Sequence, residues 1–360
     1  MLSFHPLEVT AVDRIAEDAV CLRLAVPEAL RGEFKHDAGQ YVTVRRRIDG
    51  REEQRTYSIV TRPGAAQLCI GVREQTGGRM SRDLARLSPG ERLEVGTPMG
   101  RFRTAVHASR ARAYVAFAAG SGITPVLSLA ADILAREPAS RFTLIYGNRS
   151  MARTMFLEDT LALKNRHLGK FAVYFVMSRE PQHAPLLNGH IDAAKIEALG
   201  AQISDIAHAD EYFVCGPGDM VDAVRDAIRR LNPEAPVRLE RFAAAPAASS
   251  RAPCTGAADA ELPPGEVLAQ ISVMMDGRCR SFPMAPADVS VLAAAERAGL
   301  ELPFSCRAGI CATCRTKVKS GRAVMAHNIA LEPWEVDAGF ILCCQARPLT
   351  ASLELTYDEK

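Results

Sequence analysis

The run from Phe304 to Cys314 constrains this chain more than any other, because one short loop must bring three sulfurs, from Cys306, Cys311 and Cys314, to a common centre. Their C-x4-C-x2-C spacing is that of the plant-type loop around a [2Fe-2S] cluster. Such a cluster needs a fourth thiolate. Cys343 and Cys344 are adjacent, and on an extended segment neighbouring side chains point to opposite faces, so only one of them can serve. Cys344 is assigned, with 29 residues between it and Cys314. The spacers Ala308, Gly309, Ala312 and Thr313 are small or flexible, as a loop needs if its backbone N–H groups are to close around negatively charged sulfurs. A zinc ribbon is the competing reading, but it requires two C-x2-C pairs and the chain has one.

An iron–sulfur cluster passes single electrons, so the rest of the chain must supply them. With 360 residues there is room for two or three cores, and 48% hydrophobic with 24% charged residues is ordinary for globular protein. Ten cysteines do not form a secreted disulfide scaffold in a chain this long that opens without a basic and then apolar leader; a reducing, cytoplasmic setting is expected. No apolar run is long enough to cross a membrane, so no membrane partner is expected. The balance of 44 basic and 42 acidic residues excludes binding to nucleic acid by phosphate neutralisation. The segment 263–360 is also near neutral, with ten basic against eleven acidic residues, which predicts weak long-range steering of an electron acceptor.

Residues 1–106 read as short strands punctuated by Gly, Pro and Asp, with alternation over Ala19–Val26 and Gln40–Arg47, and predict a small antiparallel β-barrel. Within it Arg55, Tyr57 and Ser58 lie on one strand, and residues 55 and 57 share a face. A cation and an aromatic ring on one face suit a flavin's phosphate and its ring system. Gly77-Gly78 then leads into Arg79-Met80-Ser81, a glycine turn entering a helix whose free N–H groups suit a pyrophosphate.

From residue 107 to 242 the pattern changes. Ala113–Ala119 is a continuous apolar run, as in a strand buried on both faces of a parallel sheet, and Gly120-Ser121-Gly122-Ile123-Thr124-Pro125 opens a helix. Strand, glycine turn and helix form an α/β dinucleotide site, although Pro125 replaces the third glycine of G-x-G-x-x-G. Strand ends at Arg149 and Arg179 are basic rather than acidic, which favours the 2′-phosphate of NADPH over the bare ribose of NADH. Cys215, ending the strand from Glu211, sits where open α/β sheets bind ligands. Residues 243–264, rich in Ala, Pro and Ser, read as a linker, and 265–360 as an α+β domain carrying the cysteine loop, with strands near Val267–Met275 and Arg278–Phe282 and a helix near Val289–Ala298.

A flavin barrel, a nucleotide domain and a C-terminal ferredoxin, in that order, resemble the ferredoxin–NADP reductase-like oxygenase reductases, and among them the reductase subunits of phenylacetyl-CoA epoxidases. The resemblance covers nearly the whole chain, including Phe4-His5-Pro6-Leu7, Ala118–Pro125, Cys215-Gly216-Pro217, Leu239–Phe242 and Leu342-Cys343-Cys344-Gln345. It implies that Arg55, Tyr57 and Ser58 form the flavin motif, Gly78 and Ser81 the flavin-phosphate turn, and Gly120, Gly122 and Thr124 the nucleotide loop. It further implies that Cys215 lies beside the nicotinamide and that Glu240 and Phe242 close the flavin's active face. The residues leave FAD against FMN open; the resemblance implies FAD.

The expected activity is therefore NADPH-dependent reduction of the flavin and delivery of electrons, one at a time, through the [2Fe-2S] cluster to a di-iron oxygenase, with Cys215, Glu240 and Ser58 at the reacting rings. Two other readings remain at this level: a reductase of the same build serving another oxygenase, such as a Rieske dioxygenase, and a non-catalytic electron carrier or redox sensor.

Overall fold

A computed structural model describes residues 3–242 and 268–359, and within them the chain forms two compact units, 4–242 and 268–359. The expected linker, with Cys254, and the start of the following strand at Val267 lie outside the described residues.

The first unit begins with an antiparallel barrel of six strands: β1 (Phe4–Ala16), β2 (Ala19–Ala25), β3 (Tyr41–Ile48), β4 (Arg51–Ser58), β5 (Leu68–Arg73) and β6 (Arg92–Gly96), with helix α1 (Arg79–Leu84) between the last two. The strand order is β4-β3-β6-β1-β2-β5, and an Ile59–Ile70 bridge joins the two edge strands. Alternate residues such as Leu22 and Leu24, Val42 and Val44, and Val95 fill the interior. The simple alternation expected over Ala19–Val26 fails on one side, because Ala19 and Cys21, on the outward face of β2, are also buried. That face, with Cys69, packs against Ile123, Leu127 and Phe156 of the nucleotide-binding half. The change of pattern near residue 106 thus marks a switch from antiparallel to parallel pairing within one continuous core.

That half is a five-stranded parallel sheet, ordered β11-β10-β7-β8-β9. Its elements in chain order are β7 (Ala113–Ala119), α2 (Ile123–Arg136), β8 (Arg141–Asn148), α3 (Leu157–Arg166), β9 (Phe171–Met177), α4 (Ala193–Gln202), α5 (Ser204–His208), β10 (Glu211–Pro217), α6 (Gly218–Leu231) and β11 (Val237–Phe242). Central β7 and β10 are apolar throughout because layers cover both faces: Tyr114, Ala116 and Phe213 look toward α2, and Val115, Phe117 and Val214 toward α4 and α6. The direction of strand succession reverses between β7 and β10. Open α/β sheets bind ligands in the crevice outside the carboxyl ends of such a pair.

The second unit is an α+β fold built of β12 (Ala269–Met275), β13 (Arg278–Met284), α7 (Val291–Arg297), β14 (Arg315–Ser320), β15 (Ala323–Met325), α8 (Pro333–Asp337), β16 (Phe340–Leu342), β17 (Ala346–Pro348) and β18 (Ser352–Thr356). Its main sheet is mixed, in the order β13-β12-β18-β14-β16, and β12 runs parallel to β18. Ser290 caps α7 by accepting from the Ala293 N–H. The buried α7 residues Val291, Leu292, Ala294 and Ala295 form one core with Ile271, Leu342 and Leu355, and this core supports the cysteine loop. Among the described residues no helix is long and apolar enough to cross a membrane.

Candidate functional site

The glycine turn at the end of β7 is a short helical turn, Gly120–Gly122, running straight into α2. Gly120 has φ +55, open to glycine without strain. Gly122 is required for a different reason: a Cβ there would lie 2.1 Å from the Cys215 carbonyl oxygen, so the turn can press against the end of β10 only without a side chain. Thr124 donates its hydroxyl to the Ser121 carbonyl at 2.9 Å, and Tyr146 donates to the Gly120 carbonyl at 3.0 Å, fixing the turn from both sides. Pro125, buried in the first turn of α2, has no N–H to leave unpaired there.

Cys215 is opposite Glu240 in the β10–β11 register. Glu240 Oε1 accepts from Ser58 Oγ at 3.2 Å and lies 3.9 Å from Cys215 Sγ. Residues from the barrel and from two strands of the parallel sheet therefore meet outside the carboxyl ends of β10 and β11. Cys215 is fully buried, and burial, with the Glu240 carboxylate beside it, pushes its thiol well above the usual range. Glu240 keeps part of its side chain open to solvent, yet its carboxylate is enclosed by protein, and this desolvation raises it to about 7 against the opposing pull of Ser58 and Cys215. A thiol held neutral and a carboxyl poised near neutrality can orient rings and hold a proton, and neither is prepared for nucleophilic attack. Phe242 pairs with Pro217 at the end of the same ladder and packs against the shared core.

Arg55 and Tyr57 are on one face of β4, opposite Val44 and Val42. Tyr57 packs against the barrel core, and burial raises its phenol. Arg55 Nη2 pairs with Glu53 at 3.4 Å, and the same carboxylate takes Arg79 Nε at 3.2 Å, tying the strand to the start of α1. At that start Ser81 Oγ accepts from the Gln75 N–H at 3.0 Å, and a Cβ on Gly78 would lie 2.6 Å from Ser81 Oγ. A side chain at 78 would crowd the Ser81 hydroxyl and Gln75 together. Arg149 and Arg179 stand away from the Cys215 group, side by side where β8 and β9 end, with the Arg179 N–H donating to the Arg149 carbonyl at 2.9 Å. Arg149 and Arg179 are both exposed. Asn148 is buried beside them, a polar side chain that the strand-end pattern did not single out.

In the second unit the cysteine loop takes left-handed backbone at Arg307, Gly309 and Ala312 (φ 53, 73 and 54), which turns successive amides inward. The N–H groups of Ala308 and Ile310 point to Cys306 Sγ, each at 3.4 Å, and the Gly309 N–H serves Cys344. The four thiols lie as two neighbouring pairs, Cys306 with Cys311 and Cys314 with Cys344, and Cys343 also neighbours Cys314. The Cys311 thiol and the loop amides hold Cys306 down to about 5, a thiolate at neutral pH. Among the described residues no three His, Cys, Asp or Glu side chains converge on a single point. Two thiols apiece for two irons, within reach of inward amides, fit a [2Fe-2S] cluster. Ser305 Oγ, buried beside Cys306 without a protein partner, is a further polar atom at this loop that spacing alone did not identify.

Comparison with known proteins agrees with the three-part architecture. Residues 6–104 match the oxidoreductase FAD-binding domain, 117–226 the oxidoreductase NAD-binding domain and 273–349 the 2Fe-2S iron-sulfur cluster binding domain. The chain is 37% identical to a subunit of the 1,2-phenylacetyl-CoA epoxidase of Escherichia coli K12, over 100% of this chain and 99% of that one. It is 29% identical to the ferredoxin reductase component of 3-ketosteroid-9-alpha-monooxygenase of Rhodococcus rhodochrous, over 98% and 96%. Among solved structures, phthalate dioxygenase reductase shares the fold with a TM-score of 0.57 at 24% identity, covering 98% of both chains. An intact type IV self-sufficient cytochrome P450 monooxygenase contains it within 41% of its own length, with a TM-score of 0.66 at 22% identity. The chain belongs to the ferredoxin–NADP reductase-like oxygenase reductases, whose flavin and nucleotide domains feed a C-terminal [2Fe-2S] ferredoxin.

Proposed function

We propose that this protein oxidises NADPH and supplies electrons to the di-iron oxygenase of a phenylacetyl-CoA epoxidase system. The observation that carries the catalytic part is the meeting of Ser58, Cys215 and Glu240 at the carboxyl ends of β10 and β11, next to the point where the sheet's order reverses. When bound, FAD would supply the conversion of one hydride's two electrons into single electrons and the [2Fe-2S] cluster their onward passage. Cys306, Cys311, Cys314 and Cys344 would hold the cluster. Arg55, Tyr57, Ser58, Gly78 and Ser81 would hold the flavin, and Gly120, Gly122 and Thr124 the nicotinamide nucleotide.

The chain's own residues then do three things. The glycine turn and the start of α2 receive the pyrophosphate on free N–H groups. Cys215, neutral and buried, offers a soft apolar surface that sets the nicotinamide against the flavin while excluding water. Glu240, accepting from Ser58, holds or releases a proton beside the reacting rings near neutral pH. Arg149 and Arg179, exposed at adjoining strand ends, supply two cations suited to a 2′-phosphate, which supports NADPH over NADH. The epoxidase assignment rests on full-length similarity to the Escherichia coli protein.

Anaerobic mixing of the purified holo-protein with NADPH should bleach the flavin and then the cluster bands, and adding the epoxidase oxygenase should reoxidise both. Reoxidation by a Rieske oxygenase but not by the epoxidase would overturn the partner. Full cofactor loading without bleaching by either nicotinamide would leave only a carrier.

A further inference from the structure

The sequence offers the second iron two adjacent thiols, and both are near Cys314 in the fold: Cys314 has Cys343 and Cys344 as hydrogen-bonding neighbours. What separates them is their other partners. Cys344 lies on the loop side, served by the Gly309 N–H and with Gln345 Nε2 at 3.7 Å. Cys343 is fully buried, and its Sγ is 3.0 Å from the hydroxyl of Tyr357. Tyr357 follows β18, the strand that pairs with β14 and so backs the loop's exit, and its N–H is tied to the Met274 carbonyl at 2.9 Å. The Cys343 N–H donates to the Cys314 carbonyl at 3.1 Å and its carbonyl accepts from Leu292, so the backbone between the two candidate thiols is fixed.

We propose that Tyr357 is a positioning residue for the cluster: its hydroxyl engages the Cys343 thiol on the core side and leaves Cys344 alone to face the irons. This rests on the assignment of Cys344 as a ligand. A second thiolate within reach is able to replace a cysteine ligand on iron, so a contact that holds one of two adjacent thiols away favours the other. A hydrogen bond of this kind shifts a competition by roughly two- to tenfold.

The test is a gain of cluster, which misfolding does not produce. Full-length Cys344→Ser, Cys344→Ser/Tyr357→Phe and the triple variant with Cys343→Ser are reconstituted anaerobically with iron and sulfide. Iron content, visible absorption and the EPR signal of the reduced cluster are then read. Cys344→Ser alone should hold little cluster. Adding Tyr357→Phe should raise occupancy by roughly two- to tenfold, with an EPR signal distinct from that of the unaltered protein, and Cys343→Ser should abolish the recovered signal. A double variant no better than Cys344→Ser overturns the role of Tyr357. A Cys344→Ser protein with unaltered occupancy and spectrum instead overturns the ligand assignment, so the two failures are distinguishable. Independently of any change at 357, the infrared difference between unaltered holo-protein and Cys343→Ala should show either a hydrogen-bonded S–H band or a shifted tyrosine C–O band, since either atom can donate, and a free S–H band with no tyrosine shift overturns the proposal.

Discussion

At the scale of single residues, Glu240 shows how burial sets chemistry. Its carboxyl is raised from 4.5 to about 7 by desolvation, so the folded protein prefers it protonated. An unfolded chain ionises it near its ordinary value, and folding stability therefore falls as pH rises from about 4.5 to about 7, by up to roughly 3 kcal/mol. Glu240→Gln should remove that part of the pH dependence, as urea midpoints at pH 5 and pH 8 would read. The same group should give the rate of flavin reduction by NADPH an inflection near neutrality. Glu240→Gln should abolish it, and Ser58→Ala, which removes a donor to the carboxylate, should move it to higher pH. Stopped-flow rates across pH 5.5 to 9 (about the range where such an inflection lies) check both.

At the scale of elements, the two glycines of the nucleotide turn should respond differently. Gly122→Ala drives a Cβ into the Cys215 carbonyl and must displace backbone, while nothing lies within 4 Å of a Cβ at Gly120, where the cost is the left-handed conformation alone. Gly122→Ala should lose about 1–3 kcal/mol and weaken NADPH binding by displacing Cys215. Gly120→Ala should cost about 1 kcal/mol. Thermal melts and KM for NADPH separate them. In the ferredoxin unit, Glu335 is fully buried and pairs with Arg315 at 2.8 Å, and the Arg315 guanidinium lies 3.4 Å from the Phe340 ring centroid. Glu335→Ala removes the buried carboxylate that pairs with Arg315, the residue following Cys314, and should destabilise this unit by about 3–5 kcal/mol. Loss of the visible cluster spectrum at lower temperature than in unaltered protein is the readout.

At the scale of the whole molecule, the near-neutral charge of 263–360 predicts that electron delivery depends little on ionic strength, changing by less than about threefold between 0.05 and 0.5 M salt. A steep fall in the rate of oxygenase reduction with salt would instead point to charged docking. The three-part architecture was legible in the chain because each part carries its own local periodicity: alternation for the barrel, a continuous apolar run for the parallel sheet, and cysteine spacing for the cluster loop. Local patterning did not show that barrel and nucleotide half share one core, since Cys21 and Cys69 look like ordinary strand residues until α2 and α3 cover them. Nor could it bring Ser58 to Glu240, which are 182 positions apart.

The sequence by itself determined which chemistries the chain can hold, because thiol spacing and glycine turns act over a few residues and need no distant partner to be read. Tertiary structure alone decided which groups meet and in what state. Ser58, Cys215 and Glu240 become one site only where the barrel meets the ends of β10 and β11, and Cys343 differs from Cys344 in having a tyrosine hydroxyl 3.0 Å from its sulfur. Burial and hydrogen bonding are properties of neighbours in space, and folding is what supplies them.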